Sequence, residues 1–78
     1  MDIEDLNDVI SLIDNDGQIT IGRMGPHRCV AVANDKENMI AALVRQEGET
    51  IGNLLIRLDP AINDGYENEI FTDEINRI

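Results

Sequence analysis

The stretch Met39–Leu58, MIAALVRQEGETIGNLLIRL, decides the fold: an apolar run ends in a charged corner and resumes as an amphipathic one. In the first part both alternating sets are apolar, Met39 and Leu43 against Ile40 and Val44, as in a strand covered on two faces. In the second part the period lengthens to that of a helix, with Ile51, Leu54, Leu55, Leu58 and Ile62 on one stripe. Full burial of each stripe residue contributes about 1.5–3 kcal/mol. Gly48 closes the corner, and Thr50 stands where an N-cap hydroxyl accepts a backbone N–H one turn on. Ile56 points away from the stripe and is an interface candidate.

Upstream, RCVAVAN (residues 28–34) and the strand at Met39 flank the polar DKEN, which predicts two antiparallel strands joined by a short loop. Before Gly25-Pro26, residues 18–24 alternate, with Ile19 and Ile21 opposite Gln18 and Thr20, as a half-buried strand does. From Asp2 to Ile13, the residues Ile3, Leu6, Val9, Ile10 and Ile13 recur at helical steps, with Glu4 and Asp8 on the other side. Early acids suit the helix dipole, and DNDG (residues 14–17) ends the helix in turn chemistry.

Downstream, Asp59-Pro60 either kinks the second helix or starts a new short one, and Asn63-Asp64-Gly65 stops it. The tail YENEIFTDEINRI reads either as a last short helix, capped by Thr72 with Phe71, Ile75 and Ile78 apolar, or as a frayed end. The expected class is α+β in a single domain over residues 1–78. Its order is helix, three-stranded antiparallel sheet, helix, with the helices on one face of the sheet. The other face then meets a second subunit or a partner, giving a homodimer in the first case, or is a mostly Ala surface left in solvent.

Net charge is −10, from 16 acids against 6 bases. Phosphate backbones and anionic membranes are therefore poor partners and basic surfaces good ones. The acidity sits at the two ends: residues 1–16 carry six acids and no base, and residues 47–78 carry eight acids and two bases. Tyr66 and Phe71 are the sole aromatic residues, so the core is aliphatic and offers no platform for stacking bases. A single cysteine, Cys29, fits a reducing compartment, the acidic start lacks the basic region of a secretory signal, and no apolar run reaches membrane-span length. A cytoplasmic protein is expected.

Motifs for chemistry fail on their spacing. LIDNDGQI imitates a calcium loop at Asp14, Asp16, Gly17 and Ile19, but its first and twelfth positions are Leu12 and Arg23, so two essential ligands are missing. His27 and Cys29 share a strand face, yet there is no second His or Cys to complete a zinc set. The six glycines match neither a P-loop nor a dinucleotide fingerprint. No enzyme, metal or cofactor is expected.

The element order resembles the double-stranded-RNA-binding domain, which places lysines at the start of its second helix. Here Glu47-Gly48-Glu49 occupies that corner and repels phosphate, so direct nucleic-acid binding is not expected.

Residues 43–76, LVRQEGETIGNLLIRLDPAINDGYENEIFTDEIN, resemble the C-terminal half of small phage and prophage proteins. The matching features are a basic residue ahead of GET, then LLxRLDxAI, then FTDEIN. The resemblance implies a phage origin and brings no mechanism. In size, charge and element order the chain is also similar to the small acidic anti-CRISPR proteins, including a Cas9-inhibiting family with a helix, three strands and a helical C-terminus. That likeness implies an inhibitor, in the cytoplasm of an infected or lysogenic bacterium, that covers the basic nucleic-acid-binding surface of a host protein or ribonucleoprotein. Carboxylates about 5–6 Å apart on a helix suit cations that grip phosphates. The candidates are Glu4, Asp5 and Asp8 at the start, with Asp64, Glu67, Glu69, Asp73 and Glu74 near the end.

Overall fold

A computed structural model describes residues 3–76. A 3-10 turn, Ile3–Asp5, leads into α1 (Asn7–Asp14), followed by β1 (Gln18–Met24), β2 (His27–Asn34), β3 (Met39–Val44), α2 (Ile51–Glu67) and β4 (Thr72–Asp73). The class is α+β, as expected. The sheet has four strands in the order β1-β2-β3-β4, with the first two pairings antiparallel and β3–β4 parallel. It is therefore mixed, not three-stranded and antiparallel.

The stripe on α2 forms the centre of the core: Leu54, Leu58 and Ile62 are buried, Leu55 is half-buried and Ile51 is exposed at the helix start. Thr50 caps the helix as expected, its Oγ1 accepting the N–H of Asn53 at 3.0 Å. Ile56, the interface candidate, packs partly buried against the core on the helix side of the sheet.

Neither punctuation signal within α2 ends it. Pro60 lies inside the helix on an exposed side, and the helix runs on through Asn63-Asp64-Gly65 to Glu67. Gly65 persists there because packing demands it. A Cβ at that position would stand 2.6 Å from Ile40 Cγ2 and 3.2 Å from the Ile40 carbonyl. Ile40 reaches the helix because it is the extra residue of a bulge, between Ala41 opposite Ala33 and Met39 opposite Asn34.

The first helix starts later than its periodicity suggests. The chain breaks at Leu6, and α1 buries Val9 and Leu12 while Ile13 is half-exposed; Asp2, at the expected start, lies outside the described residues. Leu6 has no side chain that caps. Asp59 of α2 does this instead, Oδ1 accepting the N–H groups of both Asp8 and Val9 at 2.9 Å. The helix-to-strand turn at Gly17 is tight, since a Cβ there would meet Leu12 Cδ1 at 2.5 Å.

The tail forms a strand where a helix capped by Thr72 was the alternative to fraying. Thr72 and Asp73 pair with Ala41 and Ala42, and Glu74 N–H donates to the Ala42 carbonyl at 2.9 Å. Ile78 lies outside the described residues. Beyond β4, Ile75 packs on the second face of the sheet against the cluster of Val30, Val32 and Ala42, all three buried. The apolar back of the sheet is thus covered within one chain.

Arg57 fastens this arrangement. Its Nε and Nη2 grip the two oxygens of Glu49 at 2.7 and 3.0 Å, Nη2 also reaches the Val44 carbonyl at 2.9 Å, and Nη1 lies 3.3 Å from Glu74 Oε2. The other Glu74 oxygen accepts the Val44 N–H at 2.9 Å. One guanidinium therefore joins α2, the corner before it, the end of β3 and the tail.

Candidate functional site

The cap from Asp59 sets the direction of α1. Asp8 meets Asp59 and Asn63 near the start of α1, while Leu12 and Asn15 share a groove with Tyr66 and Glu67 farther along. The helices run parallel, so their C-termini come together. Between them and the β2–β3 loop lies a groove of about 360 Å³. Leu12 and Ile62 form its apolar floor, and Asp8, Asp35, Tyr66 and Glu67 stand around it.

The loop supplies the most constrained wall. Asp35 Oδ1 accepts the N–H groups of Glu37 and Asn38 at 2.9 and 2.7 Å, and Oδ2 accepts the Tyr66 hydroxyl at 3.0 Å. The backbone donors, Asn38 first and then Glu37, hold the Asp35 carboxyl below its ordinary range, with Tyr66 adding to the effect. The Tyr66 phenol is pushed up, first by partial desolvation and then by its bond to Asp35. Tyr66 is 51% exposed, so its ring is presented to solvent from a fixed hydroxyl. No base is among the groove residues, and both adjoining helix C-termini add negative potential.

The expected site residues divide among three places. Asp8 and Glu67, from opposite ends of the sequence, meet at this groove. Asp64 lies in the same last turn of α2 as Glu67, its Oδ1 accepting Asn68 Nδ2 at 3.1 Å, and Glu69 follows in left-handed backbone at φ 55°. Glu4 and Asp5 lie in the 3-10 turn before α1, and both are exposed.

Asp73 and Glu74 lie apart from the groove, on and just after β4. Asp73 turns back on its own chain, accepting the N–H groups of Ile75 and Asn76 at 3.1 and 3.2 Å and Asn76 Nδ2 at 2.9 Å. The Asn76 bonds, side chain first, hold its carboxyl below the ordinary range. Glu74 is committed to Arg57 and Val44.

Asp35 and Tyr66, bonded across 31 positions, carry little local mark in the sequence. The one available signal was an Asp opening a tight turn, and nothing local places Tyr66 beside it. Lys36, beside Asp35 on the β2–β3 loop, is paired with Asp16 at 3.4 Å, whereas Arg23, Arg28 and Arg45 occupy the end of the sheet where Met24 pairs with His27 and Arg45 N–H bonds to the Cys29 carbonyl. The molecule is thus polarised along its strands, with the groove at the acidic end.

His27 and Cys29 are both half-buried in β2, and Cys29 packs against the helix-side core. Among the described residues no group of three or more His, Cys, Asp or Glu side chains is placed to hold a metal ion, and no helix is long and apolar enough to cross a membrane. No protein-family model matches the chain, and no curated protein or solved structure is significantly similar to it.

Proposed function

We propose that this chain is a phage-encoded acidic binding protein that inhibits a bacterial defence complex of the CRISPR-Cas type by occupying its basic nucleic-acid-binding surface. The observation that supports the reading is the placement of carboxylates where they oppose stability. Asp14 and Glu67 lie in the last turns of α1 and α2, neither of which carries a base. Each opposes a helix dipole at a cost of about 0.3–1 kcal/mol. Glu69 takes the left-handed position after a helix that glycine fills at no steric cost.

Acidity needed for solubility alone is available at positions that cost nothing. These carboxylates cluster instead at one end of the molecule, with Asp8 and Asp64 beside them, and Glu4 and Asp5 extend the charge along the start of the chain. Such a field accelerates encounter with a cationic surface and repels nucleic acid competing for it. Asp73 and Glu74, bonded within the fold, contribute through the field.

The test is inhibition of DNA cleavage by purified Cas9-type ribonucleoproteins. The natural chain lowers cleavage, increasingly so at low salt, and a Glu67→Lys, Glu69→Lys variant with an unchanged circular dichroism spectrum does not. Full cleavage by every complex in the presence of the natural chain sinks the reading.

A second reading is a homodimeric structural or regulatory protein whose acidity serves solubility. With the back of the sheet covered, the surface that favours it is the outer edge of β1, an end strand exposing Ile21 and Met24. Sedimentation equilibrium at tens of micromolar tests it, and a strict monomer removes it.

A further inference from the structure

We propose that the groove between the C-terminal ends of α1 and α2 receives the side chain of a single arginine projecting from the partner's surface. The inference rests on the binding reading above and adds to it a defined pocket and a defined residue.

Three features of the groove select this occupant. Its volume of about 360 Å³ is ample for one long side chain and too small for a folded element. Its floor, Leu12 and Ile62, is apolar and suits the methylene stem of such a side chain. Its rim carries Asp8, Asp35 and Glu67, and Lys36 on the same loop is paired with Asp16 at 3.4 Å, so a cation entering the groove is bordered by carboxylates from α1, the β2–β3 loop and α2.

Arginine fits this rim better than lysine. Tyr66 presents a half-exposed ring whose hydroxyl is tied to Asp35, so the ring is held in place before any partner arrives. A planar guanidinium stacks on such a ring while its edge donates to carboxylates on either side; a compact ammonium cannot do both. Asp8 Oδ2 is available for that edge, since Asn63 Nδ2 reaches Oδ1 alone, and only at 3.4 Å. The parallel helix C-termini add their partial negative charge at the same end.

A blocked tripeptide, acetyl-Gly-Arg-Gly-amide, titrated into the isotope-labelled full chain and followed by two-dimensional NMR, tests the pocket directly. The expected result is saturable shifts confined to amides of residues 8, 11–15, 35–38 and 62–67, at millimolar peptide. The isosteric citrulline peptide, which lacks the charge, produces none. Glu67→Gln weakens the arginine response severalfold with its starting spectrum otherwise retained, and Tyr66→Leu weakens it while leaving the carboxylates in place.

Equal shifts from the citrulline peptide, shifts spread over the acidic surface, or no saturable shift overturn the pocket. Each of those results leaves the cleavage assay to be read on its own. Conversely, arginine capture in a chain that inhibits no ribonucleoprotein retains the pocket and removes the proposed target.

Discussion

Asp59 Oδ1 accepts the backbone N–H of Val9 at 2.9 Å, across 50 positions of sequence, and the Asp8 N–H at the same distance. A helix as short as α1 is marginal alone, and its free N-terminal donors are satisfied from another helix. Replacing Asp59 by Ala costs about 1–2 kcal/mol, the worth of a good cap, and loosens α1 first. Hydrogen exchange at Ile10–Ile13 accelerates more than exchange in β2 or β3. Asp59→Asn, which keeps an acceptor oxygen, recovers part of the loss. Uniform acceleration throughout the chain contradicts the local role.

Arg57 and Glu49 give the stability a defined pH dependence. The Glu49 carboxyl is held below its ordinary value of 4.5, chiefly by its hydrogen bond from Arg57. A depressed folded-state pKa adds stability that is complete above the ordinary value and is lost as the pH falls through and below it. Denaturant unfolding of Glu49→Gln therefore shows lower stability than the natural chain at pH 7 and a smaller decline between about pH 5 and 3. Relief of the repulsion behind the net charge of −10 is nearly common to both proteins and cancels in the comparison. Arg57→Met strands Glu49 and Glu74 and costs about 2–3 kcal/mol at pH 7, by loss of charge-assisted hydrogen bonds.

Two glycines of α2 respond oppositely to the same substitution. Gly65→Ala forces a methyl against Ile40 and destabilises by about 1–2 kcal/mol, overpacking exceeding the helix-propensity gain. Gly52→Ala finds no atom nearer than Thr50 Oγ1 at 3.8 Å and stabilises by about 0.5 kcal/mol. Thermal midpoints of the two variants on either side of the natural chain verify the pair; a gain from Gly65→Ala refutes the close helix–sheet approach.

Carboxylates at the acidic end trade stability for charge. Glu67→Gln relieves an unfavourable dipole contact, and Glu69→Gly relieves left-handed backbone. Each raises stability by about 0.5 kcal/mol, or roughly 2–4 °C in a domain of this size. Added salt narrows the gain from Glu67→Gln and leaves that from Glu69→Gly, because screening acts on charge and not on backbone sterics. Parallel melts at low and high salt separate the two causes.

The parts of the fold legible in sequence are those written in short-range patterns. The Thr50 cap, the stripe Leu54-Leu58-Ile62 and the β2–β3 hairpin each depend on residues within a few positions of one another. The illegible parts are set by distant partners. Pro60 and Gly65 look like stops, yet α2 continues because Leu58 and Ile62 are buried and Gly65 fits against Ile40. The segment around Thr72 resembles a capped helix start, while the edge of β3 offers it backbone bonds instead. At the groove, Asp8 and Glu67 stand out in the sequence as acids at the two ends. Tyr66 and Asp35 do not, since their bond spans 31 positions.

The parallel pairing of β4 with β3 fixes the order in which a growing chain can reach safety. Once residues 30–44 pair as a hairpin, their second face, Val30, Val32 and Ala42, stays bare until Ile75 arrives some thirty residues later. Throughout that interval the nascent hairpin has a sticky side and an unpaired β3 edge, the two features that drive premature association. The carboxylates of residues 1–16 have already emerged by then. Their like charge opposes association of neighbouring chains while the hairpin is uncovered.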